Sequence, residues 1–419
     1  MTARAGRITL AVTGGLVLTV GAGCSVSTPP TGLAQPVPVE LRADVPGQLT
    51  IGVQLTLTGA PGEGSEWRDA AQGAVVAARR FALGGTDVTL VPVNDKGTSD
   101  GATAAVKQLA GRDVVGIVVA TDGPHVAAGL TEAAADSIPV LLPYDQGAEG
   151  RAWSTGPGRR ASDERLVETL AARKLDAPLL VDAGGGQVTG LAPREIETYA
   201  AGDDAAALAQ RVARRQRQLD TAVDSVVVSG PPELQAPVVA ALQGSGTDVP
   251  VLLTGSALSP GFADALVQAG GSLSAPMVSV GLDDGDATAL QSDEAGRALA
   301  AFFSGLQLTA DDAGAKDLFG ERPFAEVAGA ADVSSHDAVV ALVRAAAVAG
   351  SADPAKVAAA IPGLRLGVGD GLAGPALDFD STVATSDESV VSLAATNVSP
   401  GVRPASGAPA LYWFESTRP

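Results

Sequence analysis

Seven side chains with oxygen functions stand in loops that follow apolar, strand-like runs: Thr58, Thr121, Asp122, Tyr144, Asp145, Ser229 and Ser256. Hydroxyls donate and accept hydrogen bonds, whereas ionised carboxylates only accept them. Such a set suits reversible binding of a polar small molecule. Asp122 and Asp145 would repel an anion and attract a cation, a hydroxylated molecule or an amide. The simpler role for each aspartate is to cap the helix that follows its loop. His125, next to Pro124, is a weaker candidate in the same region. Catalytic patterns are missing. There is no Gly-x-Ser-x-Gly elbow and no Gly-Lys-Ser phosphate loop. Gly184-Gly185-Gly186 follows a strand, but Thr189 stands where a dinucleotide fingerprint needs glycine. The only cysteine is Cys24, which excludes an internal disulfide or a cysteine-based metal site. The two histidines, His125 and His336, are too few for a zinc centre. Neither enzymatic activity nor a cofactor is expected.

The elements that would position these residues alternate. Leu49–Leu55 is a buried-strand run, followed by a turn at Thr58–Gly62 and a helix with Trp67, Ala71, Ala74, Ala78 and Phe81 on one face. Strands at Val88–Val93, Val114–Val119 and Ile138–Leu142 follow, with helices between them. Strict alternation implies an α/β fold with a parallel sheet covered on both faces. Its binding crevice lies at the carboxyl ends of the strands. A second set follows: strands at Ala177–Asp182, Ile196–Tyr199, Ser225–Val228 and Val249–Leu253, and helices at Ala205–Arg217, Leu234–Leu242 and Pro260–Ala269. Between Gly184 and Arg194 only about a dozen residues, broken by Gly190 and Pro193, join two parallel strands, close to the minimum for such a crossover. Later helices fall near Glu294–Leu306 and Asp337–Val348, and final strands near Ser389–Leu393 and Ala410–Phe414. Trp67 reads as a core residue, and Ser334-Ser335 with His336 and Asp337 as a helix cap.

The chain has 47 acidic and 28 basic residues and a net charge of −19, a surface that repels nucleic acid. At the amino terminus, Arg4 and Arg7 precede an uncharged apolar core, Ile8–Val20, which is the plan of a secretory signal. That core is shorter than the ~20 residues of a spanning helix. With Gly21, Ala22 and Gly23 leading into Cys24, it resembles a bacterial lipoprotein signal, in which the cysteine is lipidated. Such signals usually carry Leu, Val or Ile where Gly21 stands. Residues 25–46, with Pro29, Pro30, Pro36, Pro38 and Pro46 and no apolar period, read as an extended tether.

Ile51-Gly52-Val53 with Leu57-Thr58-Gly59, Gln72-Gly73, Gly84-Gly85, Asn94-Asp95-Lys96-Gly97 and Ile138-Pro139-Val140 resemble the amino-terminal lobe of type I periplasmic solute-binding proteins, in particular the branched-chain amino acid receptors of ABC importers. The likeness continues through Ser335-His336-Asp337-Ala338, Asp353-Pro354 and Phe379-Asp380. It implies two Rossmann-like lobes joined by a three-segment hinge: residues 47–153 with 281–383, and 157–278 with 388–419, after a signal at 1–23 and the tether at 24–46. The implied function is capture of a small molecule for an ABC permease by a monomeric lipoprotein on the outer face of the cell membrane. The family's amino-acid contacts carry over incompletely. Pro124 stands where a serine is expected, Tyr144 and Asp145 where a hydroxyl pair is, Gly184 to Gln187 where an aromatic is, and Ser256 at the acidic partner of the ligand ammonium. A ligand other than a standard branched-chain amino acid is therefore expected. The alternative is a non-transport envelope lipoprotein that uses the same fold to bind a protein.

Overall fold

The computed structural model describes residues 36–144, 147–148, 150–218, 222–405 and 407–416. The signal segment, Cys24 and Asp145 lie outside the described residues.

The first sheet is built from β1 (Leu49–Leu55), β2 (Val88–Asn94), β3 (Gly116–Val119), β4 (Val140–Leu142) and β5 (Ala152–Ser154), in the order β2-β1-β3-β4-β5, all parallel. Its crossovers are α1 (Gly73–Leu83), α2 (Ser99–Ala110) and α3 (Val126–Ala135). One face buries Leu109, Ile117 and Val140 beneath α2 and α3, and the other buries Ile51, Val53 and Phe81. After β5 the chain enters a second layer through α4 (Arg159–Ala172). It then forms β6 (Pro178–Asp182), β7 (Glu195–Thr198), α5 (Ala205–Gln216), β8 (Ser225–Ser229), α6 (Pro232–Gly244), β9 (Val251–Leu253), α7 (Pro260–Gln268) and β10 (Val278–Leu282).

From there it returns to the first lobe with α8 (Glu294–Ala310), α9 (Phe324–Val327), α10 (Val333–Ala349), α11 (Pro354–Ala360) and a short hairpin, β11 (Arg365–Leu366) and β12 (Leu377–Asp378). It ends as β13 (Val390–Thr396) and β14 (Tyr412–Glu415). The second sheet has the order β14-β13-β10-β9-β8-β6-β7. β13 pairs antiparallel with β10 and β14, so the late strands complete a sheet begun two hundred residues earlier.

The chain passes between the sheets three times among the described residues, after Ser154, after Leu282 and before Val390. The first and third passages lie together. Ser154 donates its N–H to the Thr382 carbonyl and accepts from the Ala384 N–H, both at 2.8 Å, and the Thr385 hydroxyl donates to Gly156. Gly281 and Leu282 pair with Val391 and Val390, so the strand stays in the second sheet beyond the point expected from sequence.

Three local expectations change. Residues 183–194 form no helix: β7 is reached through a loop with positive φ at Gly184, Gly186 and Gly190. The tether ends before Pro38. Leu41 is buried, its N–H bonds the Arg80 carbonyl, and the buried Arg80 guanidinium donates to the carbonyls of Val39 and Pro38. Ala43 and Val45 pack partly buried against the same core, but this alternation is short and lies between prolines, which masked it. Finally, Asp332 rather than Ser334-Ser335 caps α10, accepting from the Ser335 N–H. His336 and Asp337 lie a turn inside. His336 bridges Arg80 and Asp337, and Asp337 accepts from the N–H groups of Ala373 and Gly374.

Candidate functional site

Between the two sheets lies a cleft of about 740 Å³. The first sheet supplies the loops after β3 and β4 together with the turn before α1. The second supplies the loops after β6, β8, β9 and β10 and the start of β14. Strand carboxyl ends from both layers therefore face one space, as a parallel sheet with right-handed crossovers requires.

Beneath the first-lobe loops is a buried polar knot. Asp95, just past β2, accepts from the Thr56 hydroxyl at 2.6 Å, the Gln54 side-chain amide at 2.9 Å and the Gly97 N–H at 3.0 Å, and its carboxylate meets the His125 ring at 3.2 Å. Burial pulls the Asp95 pKa up, but the bonds from His125, Thr56, Gly97 and Gln54 outweigh it and hold it below the usual carboxylate value. Thr56 in turn shares a hydrogen bond with Thr121. The ends of β1, β2 and β3 are thus locked to one another under the cleft.

The candidates read from sequence separate into groups. Asp122, Tyr144, Ser229 and Ser256 line the cleft. Thr121 is fully buried in the knot below it, and His125 is buried beside it, so both support the loop without lining the cleft. Thr58 is exposed and away from the lining. Asp145 lies outside the described residues. The Ser256 hydroxyl is already engaged: it donates to the Gly230 carbonyl and accepts from Gln235. Pro124 lines the cleft without offering an N–H or a hydroxyl.

Other cleft residues escaped the sequence reading. Trp67 is not on the core face of a helix. Two 3₁₀ turns, Ser65–Trp67 and Ala70–Gln72, precede α1 and swing the indole into the cleft, where it stacks on Tyr144 with ring centroids 4.2 Å apart and an 8° interplanar angle. Gly64 sets that turn at φ +78°, and a Cβ there would meet the Thr121 hydroxyl at 1.9 Å. Glu66, Asp284 and Asp332 also line the cleft. Asp332 ends the long connection between α8 and α10. Glu66 and Asp284 carry no local pattern.

Enclosure changes these acids. Burial, then the nearby Asp122 and Glu233, raises Glu66 to about 8. Burial, then Asp332 and Asp283, raises Asp284 to about 7, and burial raises Asp332 to about 6 against bonds from Ser335. The Tyr144 phenol, raised by burial and by Asp332, points toward Asp332 and Ser335 without a hydrogen bond of ordinary length to either. Arg403 reaches the region from the carboxyl-terminal segment. It pairs with Asp286 at 2.6 Å and donates to the Ala331 carbonyl.

The family model for periplasmic binding proteins matches residues 48–384. The chain belongs to the periplasmic binding protein family. Its structural relatives agree on the fold. A type 1 periplasmic binding protein from Bordetella pertussis Tohama I superposes with a TM-score of 0.62 at 17% identity, over 87% of this chain and 99% of that one. The branched-chain amino acid transporter substrate binding protein LivJ from Streptococcus pneumoniae, solved with isoleucine, gives 0.58 at 16% identity, over 88% and 100%. An ABC transporter solute binding protein from Rhodopseudomonas palustris, solved with 4-hydroxybenzoate, gives 0.62 at 14% identity, over 88% and 96%. No curated protein is a recognisable sequence relative. This periplasmic binding protein therefore has the two-lobed type I fold. Its family and its structural relatives are binding proteins rather than enzymes, and membership implies an extracytoplasmic location.

Proposed function

We propose that this chain is the receptor of an ABC importer. It would capture a small molecule between its lobes and present the closed, loaded form to a permease, held at the outer face of the cell membrane by a lipid on Cys24. The observation that carries the reading is the cleft itself, lined from both sheets at their strand carboxyl ends, with three chain passages beside it. A ligand that touches both lobes is bound fully only when they close, so binding shifts the open–closed equilibrium. The relatives that carry isoleucine and 4-hydroxybenzoate support a small organic ligand. A standard branched-chain amino acid fits this cleft poorly, because Pro124 offers its carboxylate no donor and the lining is rich in acid.

Thermal unfolding against a panel of amino acids, amines, sugars and aromatic acids tests the reading. A true ligand at 100 times its dissociation constant should add about 2.7 kcal/mol of stability. A panel without a single shift would count against transport and in favour of a protein partner. For the anchor, Cys24→Ala should move the protein from the membrane to the soluble fraction of the producing cell and abolish labelling by a radioactive fatty acid. Retention and labelling of that variant would remove Cys24 from the role.

A further inference from the structure

The acids of the cleft are unequally matched with bases. Asp69 is paired with Arg322, Asp163 with Arg159 and Asp286 with Arg403. Glu66 has no such partner among the described residues. It is 6% exposed, it lines the cleft, and its Oε2 atom is buried with no hydrogen-bond partner. Two further carboxyls face it, Asp122 from its own lobe and Glu233 from the first turn of α6 in the other lobe. The backbone N–H groups of Gly64 and Glu66 offset part of this, but a carboxyl with one buried oxygen unmet and two others facing it is unfavourable for the protein alone, and a positive charge from outside would complete it.

The size of that charge can be narrowed. Among the described residues no three His, Cys, Asp or Glu side chains converge closely enough to hold a metal ion. A larger cation, whose positive charge is spread over several donors, can reach carboxylates spaced this way. Next to Glu66 in the chain, half-buried Trp67 stacks on Tyr144 and gives the cleft a flat aromatic wall. Aromatic faces attract ammonium and guanidinium groups and cover apolar carbon. Beyond that wall, the unpartnered Tyr144 hydroxyl and the Asp332 and Asp284 carboxyls can accept hydrogen bonds, with Arg403 close enough to both acids to temper their charge.

We propose that the ligand is an organic cation, an amine or guanidine, whose charged group sits at Glu66 between the lobes and whose body lies along Trp67 and Tyr144. The inference rests on reading the chain as a small-molecule receptor. The cation replaces the missing partner of Glu66 and bridges it to Glu233 across the seam. An anionic ligand would meet the carboxyls of Glu66, Asp122 and Glu233 there.

Calorimetry on the full exported chain tests it with a set of amines and guanidines running from methylguanidine and agmatine to tryptamine and spermidine, beside L-leucine, 4-hydroxybenzoate and trehalose. At least one cation should bind, and more weakly as salt is raised. Glu66→Gln should weaken that probe tenfold or more, without lowering the melting temperature of the ligand-free protein. For a guanidine, which stays charged throughout, affinity should rise roughly tenfold or more between about pH 5 and about pH 8.5 in the wild type and clearly less in Glu66→Gln, where Glu233, Asp284 and Asp332 still titrate. Binding of leucine, hydroxybenzoate or trehalose with no cation bound would overturn this inference and leave the receptor reading standing. So would cation binding that Glu66→Gln leaves unchanged. Silence from every class would overturn both.

Discussion

Without ligand, Glu66→Gln should hold the protein closed at pH values where the wild type opens. The 3₁₀ turn that carries Glu66 presses against the second lobe: a Cβ on Gly261 of α7 would come within 2.8 Å of the Glu66 Cβ. Closure therefore removes Glu66 from water and brings Glu233 near it. The resulting pKa of about 8, against an ordinary 4.5, means that the closed form prefers the protonated acid. For a carboxyl raised in this way, the favourable contribution is complete below the ordinary value and is lost as pH climbs toward the raised one. At pH 7 the charged carboxylate then disfavours the closed form by roughly 3 kcal/mol, about a hundredfold in the open–closed equilibrium. Opening the lobes relieves this without unfolding either core, so the response is a change of shape. Small-angle scattering should show the wild-type radius of gyration growing between about pH 5 and about pH 8.5, and Glu66→Gln staying compact throughout. Equal radii for the two proteins over that range would show that Glu66 does not resist closure. In the wild type at neutral pH, a bound cation would do the work of the missing proton, which ties ligand capture to closure.

The sequence reveals the frame of this site better than its contents. The β1 to β4 alternation is legible because each strand is an apolar run bounded by glycine or polar turns, and burial on both faces of the sheet demands such runs. Asp122, Tyr144, Ser229 and Ser256 could be placed because strand carboxyl ends line the cleft, a rule of topology rather than of neighbours. Trp67 misleads for the opposite reason. Its spacing from Ala71 and Ala74 fits a helical face, but Gly64 and two 3₁₀ turns rotate it away. Glu66 looks like any surface acid, because what makes it unusual is distant in the chain: Asp122 in its own lobe, and Glu233 and Gly261 across the seam. Leu41 is similar: with Ala43 and Val45 it makes too short an alternation among prolines to stand out, and the core and the Arg80 carbonyl that hold it are distant in the chain.

The largest loss of stability is expected from Asp95→Ala. Its carboxylate is fully buried and accepts from Thr56, Gln54 and Gly97, with His125 on its second oxygen. Alanine would strand these donors in a site closed to water, a change that typically costs about 3–5 kcal/mol when a buried charge network loses one member. The effect should reach the cleft, since Thr56 holds Thr121 and Thr121 precedes Asp122. Urea denaturation should show a lower midpoint for Asp95→Ala with an unchanged slope. Because Thr56 reports the same network, Asp95→Ala combined with Thr56→Val should cost clearly less than the sum of the two single changes. The pH dependence has the opposite sign to that of Glu66. Asp95 is held below its ordinary value, so its contribution is present above that value and disappears as pH falls through the lowered one. Acid unfolding of the wild type should therefore flatten in Asp95→Ala. If the costs add and the acid limb keeps its slope, then the knot is a set of independent contacts and the loops after β1 and β3 are not held through Asp95.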